Sequence, residues 1–431
     1  MADNSVWVSA YRVDFLRVTI SNFWGLRMRH IWIGWSRVTV TLGLTLGALT
    51  VQADAKPSIT LYGAAQFDYI YDVHRVDPAW EDALRPSKIP TTEGVFGSNG
   101  QSLFSVKQSR LGVKGEVPVG RGYSDINFKF EFDMFGVGAD AGKTTIRLRH
   151  AYAEWGELLA GQTNSVFMDG DTFPNVVDYW GPTGMIYLRN PQLRWTPYRS
   201  EHSDFAIAIE KPSNDIDIGN IRVLAPELGS NIHNDEKLPD FTAHYYTKHD
   251  WGHFQLAGIL REVAYDTANT LNNEPKGSRL GWGINASGHV NIFDQDKLIA
   301  SAAYGEGIAS YMNDGGTDLA PKTVKPVGAP AGIGPTALPI LGVMAYLEHH
   351  WDDHWTTSGG YSMTKVDNSN LQSANAYKRG EYASVNLLYT PIKSVMIGAE
   401  FMWGKRVDFN GASGNDPRIQ LSAKYDFSAN F

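Results

Sequence analysis

Apolar and polar residues alternate with a period of two in segment after segment of this 431-residue chain, and this feature narrows its fold more than any other. Ile126, Phe128, Phe130, Phe132 and Met134 alternate with Asn127, Lys129, Glu131 and Asp133. Ile419, Leu421, Ala423, Tyr425 and Phe427 alternate with Arg418, Gln420, Ser422, Lys424 and Asp426. Val395, Ile397, Ala399, Phe401 and Trp403 repeat the pattern. Residues two apart share a face of a strand, so each segment has one apolar and one polar face. Beyond the N-terminal region no stretch approaches the ~18 apolar residues of a spanning helix, and none reads as a core helix. A closed antiparallel barrel, with lipid outside and water inside, satisfies both faces and leaves no unpaired edge.

Sixteen strands are expected, centred near Phe67, Val106, Phe130, Leu148, Gln162, Leu193, Ala206, Ala243, Leu256, Ile284, Ala300, Ala345, Ser358, Asn386, Ile397 and Leu421. Connections alternate in length. Short ones fall at 118–121, 156–157, 199–202, 248–251, 293–296, 351–354 and 391–393, and long ones near 75–100, 166–190, 211–237, 265–277, 307–340 and 367–378. Short periplasmic turns and long external loops are the rule for outer-membrane barrels. The fold class is therefore all-β, a transmembrane antiparallel barrel. A 12% aromatic share fits it, with Tyr69, Tyr71, Trp155, Trp351, Trp355, Tyr389 and Trp403 near strand ends as interfacial girdles.

The N-terminal region carries a compartment signal. A basic segment opens at Met28-Arg29-His30, an apolar run spans 38–51, and Val51-Gln52-Ala53 and Ala53-Asp54-Ala55 are overlapping small-residue cleavage patterns. Residues 1–55 are read as an extension and signal peptide, with Met28 a candidate start, and 56–431 as the barrel in a bacterial outer membrane. The formal net charge of −8 is no footprint of a nucleic-acid binder. Selectivity in a pore depends on the residues facing its constriction.

Enzyme-like patterns fail on spacing. Gly136-Val-Gly138-Ala-Asp-Ala-Gly142-Lys143-Thr144 misses the phosphate-loop interval from either first glycine. The cluster from Glu348 to His354 holds three histidines and three acids but sits across an expected short turn. No Gly-x-Ser-x-Gly elbow occurs. No catalytic residue, metal or cofactor is expected.

The informative charges point inward. The alternation turns Arg110, Lys114, Lys129, Arg147 and Arg149 into the lumen, and Arg189 and Arg194 flank the strand that follows the long segment 166–190. Together they form a basic wall whose guanidinium forks match carboxylates. The competing reading pairs these arginines with Glu131, Asp133 and other lumen acids for structure alone. The long segment 166–190, with Asp169, Asp171, Phe173, Asp178, Tyr179 and Trp180, suits a loop that folds into the lumen and sets acids opposite the wall.

Ser109-Arg110-Leu111-Gly112-Val113-Lys114-Gly115 resembles the second-strand motif of general bacterial porins. Phe128-Lys129-Phe130-Glu131-Phe132-Asp133, Arg149-His150-Ala151-Tyr152, Gly161-Gln162 and Asn190-Pro191-Gln192-Leu193-Arg194 resemble the DcaP-like porins. The closing aromatics, ending on Phe431, resemble the C-terminal signature of outer-membrane proteins. The DcaP resemblance implies a sixteen-stranded barrel, a homotrimer and dicarboxylate solutes. Some members carry a helical extension before the first strand, but too few residues separate Ala55 from Ile59 for one to be expected here. The leading reading is a passive porin for small anionic solutes, in contact with the lipid bilayer and lipopolysaccharide. Its rivals are a weakly selective general porin, an outer-membrane enzyme with its site at the barrel rim, and an adhesin that uses the loops near 75–100 and 307–340.

Overall fold

The computed structural model describes residues 56–120, 122–136, 145–293, 295–325 and 332–431. The expected leader, 1–55, lies outside the described residues, as does most of the near-phosphate-loop segment, 137–144. Twenty strands follow in order: β1 (Ser58–Asp72), β2 (Gln101–Ser105), β3 (Arg110–Val117), β4 (Ile126–Asp133), β5 (Arg147–Trp155), β6 (Leu158–Asn164), β7 (Arg189–Arg199), β8 (Ser203–Glu210), β9 (Ile232–Asp235) and β10 (Asp240–His249). Then come β11 (Gly252–Thr267), β12 (Gly277–Ile292), β13 (Asp296–Glu306), β14 (Leu319–Val324), β15 (Gly332–Ala337), β16 (Pro339–His350), β17 (Trp355–Val366), β18 (Tyr377–Ile392), β19 (Val395–Asp408) and β20 (Ser413–Asn430).

All but the β14–β15 hairpin belong to one antiparallel sheet. Two barrel strands are interrupted. β2 and β3 pair with successive stretches of β1, and β9 and β10 do the same on β11. Each such pair counts as one spanning strand, which makes sixteen. β20 closes the sheet on β1, in register from Thr60 opposite Asn430 to Asp72 opposite Arg418. Every expected strand centre except Val106 falls inside a strand. Val106 sits in the break between β2 and β3, where its carbonyl accepts from the Ser109 amide in a turn. The pleat puts Phe130, Leu193, Ile284 and Leu421 outward, each close to half exposed, where hydrocarbon covers them.

The lumen is not uniformly polar. Phe167 and Ile186, from the loop after β6, pack with Ile308, Tyr311 and Met312, from the loop after β13, in one buried cluster. Val76, Leu84 and Ile89, from the loop after β1, pack on the inward-facing Met344, Tyr346, Tyr382 and Met402. The long loops therefore carry their own apolar cores into the barrel, and these cores require apolar residues on the inner face of β16, β18 and β19. Buried Arg261 of β11 ties the loops together. It donates to Asn214 at 2.6 Å, the Ser213 carbonyl at 2.7 Å, Ser310 at 2.8 Å and the Gly307 carbonyl at 3.2 Å. The loop 307–338 thus divides into an inner half and the β14–β15 hairpin, which bridges from Leu319 to Ile216.

Candidate functional site

The cations of interest gather on the low wall of short strands β3 to β7. In the β4–β5 ladder Glu131 pairs with His150 while Phe132 pairs with Leu148, so Arg149 is the extra residue of a bulge. A bulge re-aims the side chains beside it. Here Arg147 and Arg149 both point inward, and His150 follows them, with Nδ1 3.0 Å from the Thr163 hydroxyl. The alternation alone had put only the arginines inside.

Two carboxylates serve this group. Arg147 grips Asp133 with Nε at 3.2 Å and Nη2 at 2.9 Å. Arg149 spans Glu131 at 2.6 Å and Asp133 at 2.9 Å. Lys129 stands 3.3 Å from Glu131. Two phenols add donors, Tyr62 to Glu131 at 2.8 Å and Tyr179 to Asp133 at 2.6 Å. With Glu131 and Asp133 so engaged, Arg110 and Arg189 are left over. Arg110 lies opposite Asp133 in the β3–β4 register, yet it has no carboxylate within ion-pair distance among the described residues. Arg189 donates to the Tyr187 hydroxyl, and its Nε is buried without a partner. Guanidinium therefore exceeds carboxylate on this wall. Lys114 is exposed over the Tyr62 ring, 5.7 Å from its centre. Arg194 is held by Gln192 at 3.0 Å and the Asn164 carbonyl at 2.7 Å.

Tyr187, in the loop 165–188, registers the excess. Burial pushes its phenol up, but Arg189, Arg149, Arg147 and Arg110 pull it below the ordinary tyrosine range. No alternation marks this residue, because it lies in a loop. Its place two residues before Arg189 was the available signal.

The same loop bonds to inward side chains around the barrel. Glu210 accepts from the Val166 amide at 2.9 Å, Asn285 donates to the Phe167 carbonyl at 3.1 Å, and Glu348 accepts from the Asn175 amide at 2.6 Å. Glu400 accepts from the amides of Val177 and Asp178 at 2.5 and 2.9 Å. Its acids hold the loop in place. Asp169 accepts from His253 at 2.9 Å and Ser287 at 2.8 Å, and Asp171 accepts from Tyr246 at 2.9 Å. Asp178, whose carboxyl burial pushes up, accepts from the Leu84 amide at 3.1 Å and the Gly181 amide at 2.9 Å. The carboxylates that touch the arginines are Glu131 and Asp133 of the barrel wall. The segment from Glu348 to His354 sends its side chains to separate partners, His349 to Asp296 at 2.7 Å and Asp352 to the His354 and Trp355 amides.

Comparison with known proteins places this barrel. The model of a family described as DcaP outer membrane protein matches residues 48–319 and 340–427. No curated protein matches the chain at a significant level. Among solved structures, the outer membrane channel DcaP of Acinetobacter baumannii is 23% identical, with a TM-score of 0.71 over 87% of this chain and 99% of that one. An anion-selective porin from Comamonas acidovorans is 10% identical, with a TM-score of 0.55 over 86% of this chain and 100% of that one. The outer membrane protein OmpT of Vibrio cholerae, in a trimer form, is 11% identical, with a TM-score of 0.50 over 86% and 100%. At these identities the likeness to the solved structures is one of fold.

Proposed function

The chain belongs to the DcaP outer membrane protein family and is an outer-membrane barrel of the porin kind, and from that premise we propose that it passes small anionic solutes, dicarboxylates above all, by passive diffusion as a homotrimer. One observation carries the anionic preference: Arg110 and Arg189 stand on the low wall in excess of Glu131 and Asp133. Unneutralised guanidinium in a narrow lumen offsets part of the dehydration cost of a carboxylate. A solute with two carboxylates engages two forks at once, whereas a monocarboxylate engages one. In this proposal Arg147, Arg149, Lys114, Lys129 and Arg194 extend the basic surface, and the loop bearing Asp169, Asp171 and Asp178 narrows the passage. Of the small residues Gly63, Ala64 and Ala65 of β1, only Ala65 is exposed and supports the trimer reading, since Ala64 is buried and the Phe427 ring covers Gly63. The leader is proposed to be cut at Ala53 or Ala55, and lipopolysaccharide to contact the external rim.

Liposome swelling tests the proposal. Succinate should enter faster than a neutral sugar of similar size and faster than a monocarboxylate, with the advantage shrinking in high salt. Equal entry of all three would leave only a weakly selective general porin.

A further inference from the structure

We propose that Tyr187 is the built-in counter-ligand of the anion path: its hydroxyl holds Arg189 while no solute is present and yields that guanidinium to an arriving carboxylate. The inference rests on the porin reading above and assigns a specificity-determining residue to it.

Three observations carry it. The first is the contact itself, in which Arg189 Nη2 donates to the Tyr187 hydroxyl while the Arg189 carbon stands 4.9 Å above the Tyr187 ring. A phenol is a weak acceptor for a guanidinium, and a carboxylate is a stronger one with two oxygens in fork geometry. The second is the unmet capacity beside it. Arg189 Nε is buried and has no partner, so the donor face that a carboxylate would bridge is half vacant. Leaving such a donor unmade costs about 1–3 kcal/mol, and an incoming anion removes that cost. The third is space. A cavity of about 200 Å³ is bounded by Arg147, Arg189, Tyr179, Trp180, Tyr187 and Asn313. It puts a second guanidinium within the same walls, with the Arg147 carbon 5.0 Å from the Tyr179 ring centre.

The ionisation of Tyr187 gives the proposal a signature that packing alone does not. The guanidinium groups of Arg189, Arg149, Arg147 and Arg110 face it, and the wall carboxylates Glu131 and Asp133 are bonded to Arg149 and Arg147. Once the phenol loses its proton to water, the phenolate pairs with Arg189 and competes with the solute as a fixed anion. Carboxylate binding should therefore fall at alkaline pH before ordinary tyrosines titrate.

Single-channel recording of the full chain in planar bilayers, with succinate as probe, tests this. Tyr187→Phe removes the acceptor and keeps the ring. It should lengthen succinate block about three- to tenfold, the net size of one ordinary hydrogen bond, and should abolish the loss of block expected of the wild type as pH rises toward the ordinary tyrosine range. Unchanged block together with an unchanged pH profile would overturn the proposal. Arg189→Gln separates the two readings. If it lowers anion preference while Tyr187→Phe does nothing, the basic wall stands and the role of Tyr187 falls. If neither Arg189→Gln nor Arg110→Gln moves the reversal potential, the porin's basic-wall reading fails, and the Tyr187 proposal fails with it. Should Tyr187→Phe not assemble, Tyr187→Met, which also removes the hydroxyl, is measured in its place, and unchanged succinate block there overturns the proposal.

Discussion

Two of the arginine clusters inside this barrel, one on β20 and one on the low wall, differ in how fully their guanidiniums are paired. On β20, Arg418 is fully buried between Asp72, which it grips with Nε and with Nη2 at 2.9 Å, and Asp416, whose Oδ2 lies 4.0 Å away. There two carboxylates surround one guanidinium and no part of the group meets water. On the low wall, Glu131 and Asp133 pair with Arg147 and Arg149 and leave Arg110 and Arg189 without a carboxylate, and Arg147 keeps nearly a third of its side chain exposed. The first arrangement fastens β20 to β1. The second leaves positive charge facing the path of a solute. An inward arginine thus becomes a candidate for selectivity only when its neighbours fail to neutralise it and water reaches it.

The comparison breaks most visibly at Arg418. Arg418→Ala takes the guanidinium from between the buried side chains of Asp72 and Asp416, and removing one partner of such a group costs about 3–5 kcal/mol. The variant should lose the folded, heat-modifiable form on electrophoresis or melt far below the wild type. Preserved stability would show that this cluster is not structural.

A smaller effect is expected when the low wall is made more positive. Asp133→Asn removes a carboxylate that Arg147, Arg149 and Tyr179 share. One unit charge at about 8 Å in a partly aqueous lumen shifts an ion's energy by about 0.5–1 kcal/mol. The ratio of chloride to potassium permeability should rise about two- to fivefold. A fall would mean that Asp133 organises the arginines more than it neutralises them.

The smallest effect lies in a loop rather than on a barrel strand. Asp215, in the loop between β8 and β9, is pushed up to about 6 by burial and by Asp318, against the pull of Arg261. A carboxyl raised in the folded state stabilises its surroundings fully below its ordinary value near 3.8, and that contribution is lost as pH rises through about 6. Hydrogen-exchange protection in this loop, corrected for the intrinsic pH dependence of amide exchange, should therefore be higher at pH 4 than at pH 7, and Asp215→Asn should flatten the difference. Equal protection at both pH values would contradict the assignment.

The barrel was legible because its physics is periodic. Lipid on one side and water on the other impose an alternation that survives in β4, β19 and β20, and it placed nearly every strand. Val106 was misplaced because a turn interrupts the second spanning strand while hydrophobicity continues through it. The inward direction of the arginines was legible for the same reason. Their partners were not. Whether Asp133 serves one guanidinium or two depends on the bulge at Arg149, and no pattern of hydrophobicity announces a bulge. The destination of Asp169, a bond to His253 some 84 positions away, is equally a matter of tertiary packing. Tyr187 and the inward course of the first half of the loop near 307–340 were not legible because loops that fold inward carry no period to read.

The reversal potential in a potassium chloride gradient, measured for the wild type and for Arg110→Gln/Arg189→Gln, tests the central claim most directly. These are the two guanidiniums that the wall carboxylates leave unpaired, so their removal should not strand a buried charge or unfold the barrel. The account predicts an anion-selective wild type and a double variant that loses most of that preference with conductance and assembly retained. A wild type without anion preference, or a double variant that keeps it, would contradict the account.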